Sequence, residues 1–180
     1  NESSSNNNNR VKDMILSVTD SENVVEGGYK KVYKLTDTKV IKIIKQTIQR
    51  NKLINEFYYE GYKRKQIRKK ISDENDKIYI PEVYEIGYLQ KRLYNNKYYY
   101  IIEEKAGDMD LDIYMNLSHS QNNPVIQNKK EKGNIIDLFT KLLKAVQVLH
   151  NCGYIHNDIK PENIMVTLNN NIIYSLKLID

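Results

Sequence analysis

The sequence predicts an α+β fold: an antiparallel sheet carrying one helix, followed by a mainly helical part. Three observations point there. Short runs rich in Val, Ile and Tyr come in pairs separated by Asn, Asp and Thr, the pattern of β-hairpins. Residues 46–70 are polar and Lys/Arg-rich but carry one apolar stripe near helical spacing. After about residue 105 the character changes, and Ile135, Leu138, Phe139, Leu142, Val146 and Leu149 recur every three or four residues, the strongest helical signal in the chain.

Taken in order, residues 1–9 form a Ser/Asn tail whose low complexity predicts disorder. Lys30–Leu35 and Lys39–Lys45 flank Thr36-Asp37-Thr38 and predict a first hairpin. The 46–70 helix follows, with Ile48, Leu53, Ile54, Phe57 and Tyr58 as its stripe, and Ser72–Lys77 is a charged turn. Val83–Gln90 and Lys97–Ile102, separated by Asn95-Asn96, predict a second hairpin. Leu111–Leu117 reads as a short helix. Ser118–Lys132 is polar, contains Pro124 and lacks periodicity, so it reads as an inserted loop. Asn134 is the expected N-cap of the long helix, with Asp137 three residues on, and Gly153 is its expected stop. Ile164–Leu168 and Ile172–Ile179, around Asn169-Asn170-Asn171, predict a third hairpin.

Composition narrows the class. With 180 residues, 40% apolar and 28% charged, the chain has material for a packed core. No run approaches the roughly eighteen apolar residues of a membrane span, and NESSSNNNNR has no apolar segment behind it to make a secretory signal. The single Cys152 excludes a disulfide framework and a multi-cysteine zinc site, and His119 and His150 lack metal-ligand spacing. These features predict a soluble intracellular protein, cytoplasmic or nuclear. The net charge of +5 does not argue for nucleic acid as a partner. Of the 28 basic residues 23 are Lys, and with 22 Asn, 15 Tyr and no Trp the bias follows AT-rich codons. The tyrosines sit in strand-like runs, not interleaved with Arg as a base-stacking platform requires.

The sharpest local signal is Tyr154-Ile155-His156-Asn157-Asp158-Ile159-Lys160-Pro161-Glu162-Asn163-Ile164-Met165-Val166, between the long helix and the third hairpin. An Asp, a Lys two residues later and an Asn five residues later can converge on one phosphoryl-transfer site. The carboxylate can accept a hydroxyl proton, the ammonium can neutralise phosphate charge, and the amide carbonyl can ligate a metal. The order H-x-D-x-K-x-x-N resembles the catalytic loop of the eukaryotic-type protein kinases. Lys160 with Pro161-Glu162-Asn163 resembles the serine/threonine branch.

Further segments carry the same resemblance. Val24-Val25-Glu26-Gly27-Gly28-Tyr29-Lys30-Lys31-Val32 is similar to the glycine-rich loop, with Gly27 as the middle glycine and Val32 as the roof of the adenine pocket. Val25 and Lys30 stand where the first and third glycines belong, and side chains there restrict the turn. Lys42, in Val40-Ile41-Lys42, matches the lysine that holds nucleotide phosphates. Ile41 and Ile43 occupy the opposite strand face, so both faces are expected to be buried. The helix carboxylate expected to brace Lys42 is Glu56, since Phe57 and Tyr59 follow it, whereas Gly61 and Lys63 follow the alternative, Glu60. Tyr98–Ala106 resembles the last N-lobe strand and hinge. Ile102 is then the gatekeeper, and Glu103 and Glu104 enter the adenine-binding hinge. A one-residue shift would put Glu103 at the gatekeeper position, which is disfavoured because that position is buried. Met165 implies the floor of the pocket opposite Val32 and Val40. Leu176-Lys177-Leu178-Ile179-Asp180 resembles the strand into D-F-G, with Asp180 as a Mg²⁺ ligand beside Asn163.

The resemblance implies a bilobal protein-kinase-like fold. It has a tail and extension at residues 1–21, an N-lobe at 22–104 and a truncated, mainly helical C-lobe at 105–180. It implies ATP and Mg²⁺ as cofactors and a protein substrate phosphorylated on Ser or Thr, with Asp158 and Lys160 catalytic. Two other readings stay open: a pseudokinase acting as a nucleotide-binding scaffold, and a small-molecule kinase of the choline or aminoglycoside type. The eroded glycine loop favours the first of these, and Lys160 disfavours the second. Asn157 replaces the Arg that in many protein kinases precedes the catalytic Asp and pairs with a phosphate on the activation segment.

Overall fold

The computed structural model describes residues 24–27, 30–45, 51–91, 96–119, 131–170 and 172–179. The predicted N-terminal tail, Ile48, Pro124 and Asp180 lie outside the described residues. By their contacts the described residues divide into two compact units. One runs up to Tyr62 and includes Val83–Glu104; the other comprises Lys63–Glu82 and the residues from Lys105 onward. Residues 63–82 therefore part from the N-lobe expected at 22–104. The physical reason is that Ile67, Ile71 and Ile80 are buried in the core of the second unit.

The first unit is a five-stranded antiparallel sheet. Its strands are β1 (Val24–Gly27), β2 (Lys30–Lys34), β3 (Lys39–Lys45), β4 (Val83–Lys91) and β5 (Asn96–Glu104), in the order β1-β2-β3-β5-β4. Two predicted hairpins form, and the β3–β5 pairing, with Lys42 opposite Ile101, fuses them into one sheet. Both faces are covered in its central strands. Tyr33, Ile41, Ile43, Tyr100 and Ile102 cluster on one side. Ile44, Val83 and Ile101 cluster on the other with Ile54 and Phe57 of helix α1 (Asn51–Lys70).

Helix α1 buries a stripe of Ile54, Phe57, Gly61, Arg64 and Ile67, spaced three or four residues apart. Gly61 contradicts the expectation that it suits a core-facing helix poorly. A β-carbon there would lie 2.9 Å from the Cδ1 atoms of both Ile86 and Ile101, so the missing side chain is what allows close helix–sheet approach. The Tyr58 hydroxyl donates to the Gly87 carbonyl at 2.8 Å and ties the same helix to β4.

The second unit contains β6 (Met109–Asp110), α2 (Leu111–His119), α3 (Glu131–Asn151), β7 (Ile164–Asn169) and β8 (Ile172–Leu178). The predicted third hairpin forms, and β6 adds to it to make a three-stranded sheet. Helix α3 begins at Glu131, so Asn134 is not its N-cap but a residue of its first turn. Glu131 and Lys132 are good helix formers and extend the helix past the expected start. Its buried side is Ala145, Val148 and Leu149, with Leu138 and Leu142 half-buried, while Ile135 and Phe139 are exposed. Gly153 does end the helix. It takes φ 80°, its N–H donates to His150 O at 2.9 Å, and Tyr154 N–H donates to Leu149 O at 3.0 Å, the paired bonds of a Schellman motif. Helix α2 is capped by Asp110, whose Oδ1 accepts from Ile113 N–H at 2.8 Å.

Candidate active site

Two groups of polar side chains stand out, one in each unit. In the first, cross-strand register aligns Val25, Val32, Lys42, Ile101 and Ile86 in one row across the sheet, and Val40, Glu103 and Val83 in the next. Residues directly opposite on paired strands share a face, so Val32, Val40, Lys42, Ile101 and Glu103 project to one side. Gly27 sits opposite Lys30.

Lys42 is 5% exposed. Its Nζ lies 3.6 Å from Glu60 Oε1 and 3.1 Å from Glu103 Oε1, and Glu60 Oε2 lies 3.6 Å from Lys30 Nζ. An ammonium this far from water is tolerated only when paired, and the pairs here come from the helix and from the sheet.

This geometry makes two corrections. The helix carboxylate beside Lys42 is Glu60, not Glu56. Glu56 is exposed and lies 3.8 Å from Lys52 on the helix surface. Glu60 follows buried Phe57 by three residues and precedes buried Arg64 by four, which puts it on the packed face. Gly61 and Arg64 hid that face, because neither reads as a core residue. The second correction concerns Ile102. It lies on the face opposite Lys42, packed with Tyr33, Ile41 and Tyr100, so it does not line the lysine's side of the sheet. Glu103, 2% exposed, occupies that side. Its charge is accommodated there because Lys42 supplies the opposite one.

The second group lies between α3 and β7. Asn163 closes a short 3₁₀ turn, Pro161–Asn163, and is buried. Its Nδ2 donates to Asp158 O at 2.9 Å and to Asp158 Oδ2 at 2.8 Å, and Lys160 Nζ lies 3.1 Å from the same Oδ2. The Lys160 contact is the main influence on the Asp158 carboxyl. With help from Asn163 it holds the pKa below the ordinary value of 3.8, against a smaller opposing push from desolvation. Asp158 and Lys160 are both exposed. Asn157, just before them, is exposed with φ 66°, in the left-handed region that Asn tolerates better than other side chains. Ile179 N–H donates to Asn163 O at 3.0 Å, which brings the residue before Asp180 against the same turn. Met165 is half-buried on β7, opposite Lys177 on β8. Cys152 is buried, its thiol pKa is raised by that burial, and its Sγ lies 3.8 Å from Ile67 O, an inert packing position.

With its amide N–H₂ committed to Asp158, Asn163 has Oδ1 as its remaining polar side-chain atom, a hard oxygen donor of the kind Mg²⁺ takes. Lys42 offers the fixed positive charge that phosphates require. Both cofactors therefore suit the residues present. Among the described residues no helix is long and apolar enough to cross a membrane.

Comparison with known proteins identifies the family. Residues 18–180 match the family model described as protein kinase domain. The chain is 28% identical over 81% of its length to a probable serine/threonine-protein kinase of Clostridium acetobutylicum, covering 20% of that protein. It is 32% identical over 43% of its length to a probable serine/threonine-protein kinase of Saccharomyces cerevisiae, covering 21% of it. The chain thus spans about a fifth of the length of these two relatives. In fold it is similar to vaccinia related kinase 3, with TM-score 0.54 and 18% identity over 87% of this chain and 44% of that one.

Proposed function

The chain belongs to the protein kinase family, and on that premise we propose that it transfers the γ-phosphoryl group of Mg-ATP to a Ser or Thr hydroxyl of a protein substrate. The observation that carries this reading is the convergence of Lys160 and Asn163 on the Asp158 carboxylate, at 3.1 and 2.8 Å. The substrate hydroxyl oxygen bonds to the γ-phosphorus, the bond to the β-phosphate oxygen breaks, ADP leaves, and the hydroxyl proton passes to Asp158. A carboxylate held below pKa 3.8 is a weak base. Asp158 therefore orients the hydroxyl first, and the proton moves late, once bonding to phosphorus has acidified it. Lys160 stabilises charge on the phosphoryl group in flight, and Lys42 grips the α- and β-phosphates. Mg²⁺, held by Asn163 and Asp180, would neutralise phosphate charge. In this proposal Gly27, with Val25, would cover the phosphates, Val32 and Val40 would line the adenine side of the sheet beside the hinge at Glu103 and Glu104, and Met165 is an adenine contact that the resemblance implies.

The similarity to probable serine/threonine-protein kinases of Clostridium acetobutylicum and Saccharomyces cerevisiae supports the Ser/Thr reading. Val25 and Lys30, in place of two loop glycines, favour a second reading, a nucleotide-binding scaffold without turnover. One experiment separates them. The full-length protein is assayed for Mg-ATP binding and for phosphate transfer to Ser/Thr peptides, choline and aminoglycosides, alongside Asp158→Asn. Peptide phosphorylation that falls by about a thousandfold or more in the variant, with ATP affinity retained, is the expected result. Binding without transfer to any acceptor supports the scaffold, and transfer to choline or an aminoglycoside alone supports a small-molecule kinase.

A further inference from the structure

The geometry points to Glu103 as a second positioning residue for Lys42, so that the ammonium is held from the sheet as well as from the helix. The inference rests on the reading of Lys42 as the nucleotide-phosphate contact. Glu103 Oε1 is the nearer of the two carboxylate oxygens, at 3.1 Å against 3.6 Å for Glu60. It is also the more deeply buried: the side chain of Glu103 is 2% exposed and that of Glu60 19%.

The two carboxylates are anchored differently. Glu103 sits on β5 two residues from Ile101, the register partner of Lys42, so strand pairing fixes its distance from the lysine. Glu60 sits on α1 and also meets Lys30 at 3.6 Å, so it is divided between two ammonium groups. Lys30 stands where the resemblance expects a loop glycine. A lysine there draws on the helix carboxylate, and Glu103 supplies Lys42 with a partner that Lys30 does not contact among the ion pairs given above. Loss of Glu60 alone leaves Lys42 oriented by Glu103, and loss of Glu103 alone leaves it oriented by Glu60. Loss of both removes the carboxylates at 3.1 and 3.6 Å from the ammonium, in a buried site where weakening a charge's pairing is costly.

The test compares kcat/KM for ATP and the melting temperature in full-length wild type, Glu60→Gln, Glu103→Gln and the double variant. Each single variant is expected to lose less than about tenfold, and the double more than about a hundredfold, well beyond the product of the singles. The loss should fall mainly on KM for ATP. Glu103→Asp in the Glu60→Gln background, which keeps the charge, should restore kcat/KM to within about threefold of Glu60→Gln alone. Glu103→Met, similar in volume and uncharged, carries the same comparison if the amide variant does not fold. Single losses that simply multiply in the double variant overturn the inference. So does a Glu103→Gln that lowers the melting temperature while kcat/KM stays unchanged in both backgrounds. Wild type that binds no Mg-ATP overturns the nucleotide reading and this inference with it; wild type that binds with multiplying losses overturns this inference alone.

Discussion

Asn163 holds Asp158 twice, donating from one amide nitrogen to the backbone carbonyl at 2.9 Å and to the carboxylate at 2.8 Å. The six-residue loop from Asp158 to Asn163 is thereby closed on a buried anchor, although Asp158 itself is exposed. The carboxylate is preorganised by the turn that follows it, and Lys160 reaches the same oxygen from between them.

The pKa of Asp158 should respond to Lys160. The Lys160 contact is the first cause of its depression below 3.8. A depressed carboxylate pKa means that the contact is fully formed above the ordinary value and is lost as pH falls through the lower folded value. Lys160→Met should therefore move the Asp158 pKa up toward 3.8, with the Asn163 hydrogen bond retaining part of the depression. An NMR titration of the Asp158 carboxyl carbon reads this directly. An unchanged midpoint would show that Lys160 does not act on that carboxylate in solution.

Glu56→Gln should be close to silent. Its partner Lys52 is 90% exposed and the pair is an i,i+4 surface contact, worth no more than about 0.5 kcal/mol. Denaturant midpoints and Mg-ATP affinity should match wild type. A tenfold weaker affinity would return Glu56 to the site.

Gly107→Ala should destabilise the second unit. An added β-carbon would sit 2.6 Å from Val166 O and 2.9 Å from Val166 C, backbone atoms of a central strand that cannot step aside. The same approach permits the 2.8 Å bond from Asp108 N–H to Val166 O. A loss of about 1–3 kcal/mol is expected, as for other overpacked interiors. Chemical denaturation with an unchanged slope and a lower midpoint checks it; no shift in the midpoint would mean that the segment relaxes freely.

Asn157 sets two expectations. At φ 66° its backbone favours Gly or Asn, so Asn157→Gly should be tolerated, and Asn157→Val should cost about 1–2 kcal/mol in a melt. A neutral, exposed Asn also cannot compensate a phosphate carrying nearly two charges. In the full-length protein, phosphatase treatment should leave most of the initial rate intact, and Asn157→Arg should not create a phosphate requirement. A large loss of rate, restored by rephosphorylating one activation-segment residue, would show that another basic group does this work.

What the sequence by itself determined is what depends on neighbours along the chain. Asp158, Lys160 and Asn163 fall within six positions, so the turn that unites them is local and their order alone carries the resemblance to the kinase catalytic loop. The hairpins and the Gly153 stop are legible for the same reason, since turn residues act on their own backbone. Tertiary structure decided what depends on phase. Strand side chains alternate, so a one-residue difference in placement sends Ile102 to one face and Glu103 to the other. Apolar preference at a buried position pointed to Ile102, because the ion pair that makes a buried Glu103 acceptable comes from Lys42, about sixty residues earlier. Glu56 and Glu60 are one helical turn apart, and only the packing of Gly61 against Ile86 and Ile101 shows which of them faces the sheet. Such contacts are set by residues distant in sequence meeting in space, and no local pattern encodes them.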